Sequence, residues 1–535
     1  MITGCNQASD NSDTDSGTGI PPFELPKITA LSIDGDYKVG EELSALVECD
    51  SCDSYSVSWY LDGKLRSINP SFELKATDMY KAVNLEVVGG NSAGQDSARA
   101  LAYPEWVASV SGSRNGFMAL TNMGKLVVWG NFSKTLPEVL SEGTHSAFSI
   151  IVSQAAIHGE NKVLVTWPSY TVGPTETLTG IEAVFSTRNA FAALSDKGRV
   201  STWGSEVTGG DSSEVEHLLQ NGVINVFSND NAFAALREEG RVVTWGWDIL
   251  GGDSSAVEED LGSGVEHIVG NEYAFAAIKQ DGRVVTWGHP DSGGDSADVS
   301  AELSRDVLSI VPSNGAFAAL KQDGSVVTWG KEYLCIDDPD NSVSFDEVKH
   351  LLSSDVVDTQ SHLISNAFAA LKDDGQVITW GCAYSGGNSS SVEEHLETGV
   401  VSIATTAHTF AALKDDGSVV TWGLADAGGD SSSVADELGS GVTEIVSSSR
   451  AYAALKADGS VVTWGDSKFG GDSSLVAEQL QSDVIEIIPA TKSFTAIKSD
   501  NKVVTWGDET YGGDSSEVAD LLKPSLKVME ASLTQ

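Results

Sequence analysis

The sequence predicts an all-β protein in which a long array of short three-stranded blades follows a small β-sandwich. Three observations carry this. A Trp recurs ten times, at Trp129, Trp167, Trp203, Trp245, Trp287, Trp329, Trp380, Trp422, Trp464 and Trp506, mostly 42 residues apart, and a fixed period of this length marks a repeat architecture. Each Trp closes an apolar run that follows a tight-turn signal such as Asp-Asp-Gly, so each unit contains a hairpin. Ahead of the array, apolar and polar positions alternate with the period of two that a half-buried strand requires.

The first 25 residues read as a start signal and a tether. Met1-Ile2-Thr3-Gly4-Cys5 is similar to the end of a bacterial lipoprotein signal, in which a small residue precedes the Cys that becomes lipidated, although the basic and apolar stretches expected before it are absent. Cys5 is therefore the candidate lipidation site. Asn6 to Thr18 is almost entirely Asn, Ser, Asp, Thr and Gly, a composition that cannot bury a core.

Residues 26–103 form the sandwich, with expected strands at Ile28–Ile33, Tyr55–Trp59 and Val83–Val88. Gly40-Glu41-Glu42-Leu43, Ser58-Trp59-Tyr60-Leu61-Asp62-Gly63 and Asn91-Ser92-Ala93-Gly94 resemble the immunoglobulin-like modules of bacterial surface proteins. The segment departs from antibody domains in having no later Cys to bridge the sheets. Cys49 and Cys52 are three apart with no second ligand pair nearby, which excludes a structural zinc site and favours a local disulfide in an oxidising compartment.

Residues 107–535 hold the array. In one unit, Ala411-Ala412-Leu413-Lys414 and Ser418-Val419-Val420-Thr421-Trp422-Gly423 flank Asp415-Asp416-Gly417 as a hairpin. Gly428-Gly429-Asp430-Ser431-Ser432 is a turn whose Ser432 is expected to cap a helical turn near Val434 and Leu438, ended by Gly439. Val442 to Val446 then supplies a third strand. Strands such as Ala-Phe-Ala-Ala-Leu are apolar on both faces, as expected of blades packed between neighbours. The first two intervals are 38 and 36 residues, and the one after Trp329 is 51 through an insertion around Ile336 to Phe345.

The run Ala-Leu-Lys-Asp-Asp-Gly-Ser-Val-Val-Thr-Trp-Gly at 412–423, with its copies, resembles the β-propeller family named after the regulator of chromosome condensation. Ser440-Gly441-Val442 ahead of the third strand is most similar to secreted bacterial propellers that inhibit β-lactamases. The resemblance spans about four-fifths of the chain and implies a propeller fold and no particular activity. Family propellers usually have seven blades. Ten units here leave open a seven- to ten-blade ring or an open β superhelix. Both Val107–Val110 and Ser525–Glu530 look like the third strand, giving eleven such strands for ten hairpins.

Charge and motif content narrow the function. Lys and Arg number 32 against 77 Asp and Glu, a formal charge of −45, which repels phosphate backbones and argues against nucleic-acid binding. No stretch approaches eighteen consecutive apolar residues, so contact with a membrane is expected only through a lipid on Cys5. The repeated Asp or Asn at Asp211, Asp253, Asp295, Asn388, Asp430, Asp472 and Asp514 lacks the rhythm of calcium-binding solenoids and is assigned to turn capping, with no metal. His217 and His350 occupy equivalent positions, yet no nucleophile elbow, phosphate loop or His-Glu-x-x-His pattern accompanies them, so the chain is read as neither enzyme nor cofactor binder. Ten equivalent Trp residues read as a packing layer.

Specificity is left to the loops after Trp-Gly, which change from unit to unit. These place Trp247, Tyr333, Tyr384, Phe469 and Tyr511 on one rim as candidate anchors. Cys335 and Cys382 fall in neighbouring loops and are candidates for a second disulfide. The resulting expectation is an exported, surface-tethered scaffold that binds a protein or glycan, with a structural surface or spacer protein as the alternative.

Overall fold

The computed structural model describes residues 24–132, 138–149, 154–167, 177–331 and 342–533. Cys5, Tyr333 and Cys335 lie outside the described residues. The chain divides into two compact units, one formed by residues up to Glu105 together with those from Pro524 onward, the other by Trp106–Lys523.

The first unit is a two-sheet sandwich. Its strands are β1 (Lys27–Asp34), β2 (Glu42–Asp50), β3 (Ser54–Leu61), β4 (Lys64–Ser67), β5 (Ser71–Glu73), β6 (Val83–Asn91) and β7 (Gly94–Glu105). One sheet has the order β1-β2-β5, and the other runs from the C-terminal strand Ser525–Leu533 through β7, β6 and β3 to β4. Alternate residues of β6 and β7 (Val83, Leu85, Val87 and Ala98, Ala100, Ala102) point into a core centred on Trp59, as the period of two demands. The Trp59 indole donates to the Asn69 carbonyl at 3.0 Å, so burying it leaves no polar atom unpaired. Cys49 and Cys52 are joined by a disulfide that lies against Gly89. Arg66 pairs with the buried Asp78 at 2.9 Å. Burial opposes ionisation of Asp78, yet hydrogen bonds from Arg66 and from the Lys75 N–H hold its carboxyl below the usual range.

The second unit contains ten three-stranded antiparallel sheets among the described residues, here blades 1 to 10, with first strands beginning at Val107, Thr144, Ile181, Val223, Val265, Val307, Val356, Val400, Val442 and Val484. In blade 9, Val442–Ser447 pairs with Ala451–Lys456, which pairs with Val461–Gly465. The strand that follows each helical turn thus opens the next blade instead of completing the unit before it. That shift accounts for the eleventh strand. Val107–Ser113 opens blade 1, while Ser525–Leu533, with no hairpin after it, pairs along β7 in the first unit. The array therefore ends at Lys523 and not at the last residue.

Local chemistry explains the blade. Gly417 takes φ 77° in the hairpin turn, where a β-carbon would stand 2.6 Å from the Gly441 nitrogen. The helical segment is a pair of short 3₁₀ turns, Ser432–Val434 and Glu437–Gly439, with Leu438 buried. Its cap is not Ser432. The Asp430 carboxylate accepts from the Ser432 N–H at 2.9 Å, an Asx turn repeated at Asp211, Asp253, Asp295, Asn388, Asp472 and Asp514. These bonds hold the carboxyls of Asp211, Asp253, Asp430 and Asp472 below their ordinary range. Ser431 meets the Thr421 hydroxyl at 3.0 Å, tying the turn to the third strand. The repeated Asp-Ser column is thereby accounted for by backbone and side-chain bonding within the turn.

Neighbouring blades pack through apolar clusters. Ala232, Ala234 and Leu236 of blade 4 face Phe275 and Ala277 of blade 5, while Phe233 and Ala235 face blade 3. Both sides of the second strand are buried, and small Ala side chains let the sheets approach. Such clusters span every successive pair of blades, and one joins Val107, Phe117, Val127 and Trp129 of blade 1 to Ala490 of blade 10 and to Leu522, which follows that blade. The unit is therefore a closed ten-bladed β-propeller, which settles the choice among seven blades, ten blades and an open superhelix. First strands of successive blades lie against one another and form the inner edge.

The Trp column is a packing layer with a hydrogen bond attached. Nine of the ten indoles stack on the aromatic residue opposite them in the second strand, as Trp422 does on Phe410 at 5.5 Å, while the register sets Trp167 opposite Gln154. In seven of them the N–H crosses to a Gly carbonyl of the preceding turn, Trp422 to Gly386 at 2.9 Å, and Trp129 closes the circle on Gly512 at 3.2 Å. Trp380 is different. In the sequence an insertion stands in place of the Gly-Gly turn before blade 7, the buried N–H has no partner among the described residues, and the Phe345 ring lies 5.7 Å from the indole ring. Trp422→Phe is expected to destabilise the ring by about 1–2 kcal/mol more than Trp380→Phe, because only the former strands a buried carbonyl. Chemical denaturation of the two variants measures the difference, and equal losses would contradict the assignment.

Candidate binding face

Two sets of loops emerge at the same end of the ring. In eight blades the N–H of the residue two after the Trp donates to the carbonyl of the loop joining the first and second strands, as in Trp247 to Asn231 (3.0 Å), Leu424 to His408 (3.2 Å), Asp466 to Arg450 (3.0 Å) and Asp508 to Lys492 (3.0 Å), whereas Lys331 donates to Asp291 (2.7 Å). The Asp-Gly hairpin turns project at the opposite end. Variable loops thus share one face and are fixed to it by backbone bonds.

The rim aromatics occupy three different positions on that face. Trp247 is two residues after its Trp and 44% exposed, and Tyr384 is four after and 43% exposed. Phe469 and Tyr511 are five after, a position where Leu250, Ser292, Ser385 and Ala427 are buried, so both turn inward and are half-buried. Trp247, Tyr384, Phe469 and Tyr511 thus lie on loops of one rim, with Phe469 and Tyr511 less exposed than the other two. Gly470 and Gly512, in left-handed conformation, end the 3₁₀ turns and swing the preceding side chain toward the neighbouring blade. Exposed aliphatic groups not singled out from the sequence share the face: Val207 and Ile249, four residues after their Trp, and Leu363 and Ile364. The last two sit in the blade 7 loop between first and second strands, which is two residues longer than its blade 8 counterpart, and that length difference is the signal in the sequence.

Three of the rim aromatics are gathered with basic side chains. His408 meets Tyr384 edge-on with ring centroids 5.1 Å apart. Arg450 and Lys492 each lie 5.6 Å from the Phe469 ring centroid, and Lys492 is 4.1 Å from that of Tyr511. His408, Arg450 and Lys492 fall 42 residues apart, each immediately before its second strand, so the repeat register places them in one row across blades 8, 9 and 10. Burial holds the His408 imidazole below the usual range, and the Arg450 charge acts in the same direction. His362 is lowered by burial and then by His408. Across blades 3 to 5 a different arrangement holds, where Arg188 reaches Asp230 at 2.6 Å and Glu272 at 3.2 Å.

Cys382 is buried and disulfide-bonded, with its partner outside the described residues. His217 and His350 are exposed on separate helical turns and are not brought together. Among the described residues, no group of three or more His, Cys, Asp or Glu is placed to hold a metal ion, and no helix is long and apolar enough to cross a membrane.

The fold and this face define a closed β-propeller that carries a variable loop surface at one end. No protein-family model matches the chain, and no curated protein matches it. Solved structures are similar to it at low identity. Prp20p from Saccharomyces cerevisiae shares 16% identity over 50% of this chain and 73% of its own, with a TM-score of 0.27. Human WBSCR16 shares 14% over 69% and 84%, with a TM-score of 0.30, and the computationally designed Ika8 protein 15% over 61% and 96%, with a TM-score of 0.27.

Proposed function

We propose that this chain is an exported, non-enzymatic scaffold that binds a protein partner through the variable-loop face. The observation that carries the reading is that Trp247 and Tyr384 stand exposed on loops that vary from unit to unit and are held to the ring by backbone bonds, with Val207, Ile249, Leu363 and Ile364 exposed on loops of the same face. Trp and Tyr dominate the energy of protein interfaces. The Cys49–Cys52 disulfide and the oxidised Cys382 support an oxidising, extracytoplasmic compartment, consistent with tethering through Cys5.

The test is capture of a partner from the surroundings of the host cell by the immobilised chain, compared with Trp247→Ala and Tyr384→Ala. A specific protein is expected to be retained by the parent and released from the double variant, since each anchor contributes on the order of 2 kcal/mol. Equal retention by a double variant of unchanged melting temperature would remove this face as the site.

A further inference from the structure

Acids outnumber lysines and arginines 77 to 32 in this chain, so a basic side chain is expected to find a carboxylate. Arg188 finds two. Lys492 finds none among the described residues, and its ammonium rests on Tyr511 and Phe469 without a side-chain hydrogen bond. The Nε of Arg450 is ion-paired with the Asp466 carboxylate at 3.5 Å, without a hydrogen bond among the described residues. The buried Nδ1 of His408 has no hydrogen-bond partner among the described residues. Buried polar atoms without partners are rare enough in folded proteins to call for an explanation.

The two full cations share one aromatic ring, each 5.6 Å from its centroid. The negative faces of Phe469 and Tyr511 offset part of their mutual repulsion and fix both side chains in place, and an arriving anion would relieve the rest. An Arg fork beside a Lys point charge is suited to carboxylates. Because the cations already lie over these rings, the rings are poorly placed to stack on a sugar, which favours an acidic polypeptide over a glycan.

We propose that the row His408, Arg450 and Lys492 docks an acidic segment of the partner, rich in Asp and Glu. This rests on the reading of the loop face as the binding surface and names the chemistry of what it binds. The charge of −45 repels such a segment at long range. At physiological ionic strength, however, the Debye length is about 8 Å, so the groups within contact range decide.

The probe is a fluorescent synthetic peptide of Asp and Glu, titrated into the full-length chain at low and physiological salt and read by anisotropy. Saturable binding is expected, weakened about tenfold or more by Arg450→Gln combined with Lys492→Gln, retained by Lys492→Arg and indifferent to Trp247→Ala, with melting temperature unchanged throughout. Absence of saturable binding, or equal binding by the double variant, would overturn the proposal. So would equal or tighter binding of polygalacturonate, which would assign the row to a glycan. Partner capture that depends on Trp247 and Tyr384, found together with no peptide binding, would leave the binding face standing and remove only the acidic segment.

Discussion

Gly112→Ser is expected to destabilise the propeller by about 3 kcal/mol or more, although Ser is a native residue at this position in other blades. Gly112 is the sixth residue of the first strand of blade 1. Its counterparts Ser228 and Ser447 donate to the carbonyls of Ser186 and Thr405 on the preceding blades at 2.7 and 2.6 Å. At the closing interface there is no room for such a bond, because a β-carbon on Gly112 would stand 1.8 Å from the Pro489 carbonyl oxygen, a backbone atom that cannot turn away. Blade 1 meets blade 10 more tightly at the inner edge than blades 4 and 9 meet the blades before them. Ser228→Gly, by contrast, removes a single hydrogen bond and is expected to cost about 1 kcal/mol. Calorimetry of the two variants decides. A Gly112→Ser ring as stable as the parent would mean that blades 1 and 10 do not touch here.

Ending the chain at Lys523 is expected to have a comparable effect on the first unit. The C-terminal strand pairs with β7 from Ser525 opposite Glu105 to Leu533 opposite Ala98, and Leu526 packs against the sandwich core. Removing it leaves β7 as a long open edge, a template for aggregation. The lost backbone bonding and apolar contact amount to on the order of 4 kcal/mol, a large share of the stability of a domain this small. The propeller keeps all of its own strands. Two calorimetric transitions are expected in the parent, and truncation should lower the one belonging to the sandwich while leaving the other in place. A parallel fall of both, or of neither, would contradict the strand assignment.

The repeat was legible in the sequence because its causes are local. Asp-Gly turns, apolar strands and the Trp column are each fixed within a dozen residues. Ring closure was not legible, since it depends on the angle that each Ala-lined interface adds, summed over ten blades. The eleventh strand could be counted from Ser525–Glu530, but its destination on β7 is a pairing across more than four hundred residues that no local pattern encodes. The site divides in the same way. Variable loops were visible as variation, whereas the inward turn of Phe469 and Tyr511 depends on the left-handed glycines that end their 3₁₀ turns. The basic row of His408, Arg450 and Lys492 shared the 42-residue register all along. Only the fold showed that it stands against the aromatic residues of the neighbouring loops.

Amide hydrogen exchange of the full-length chain, with and without its captured partner, tests most directly whether the variable-loop face is the binding surface. Protection is expected in peptides spanning the loops at that end, around Thr405 to Thr409, Ser447 to Ala451, Trp245 to Leu250 and Trp380 to Ser385. The hairpin turns at the other end, such as Asp415 to Ser418, should exchange as in the free protein. Protection centred on those hairpin turns, with the loop face unchanged, would contradict the account.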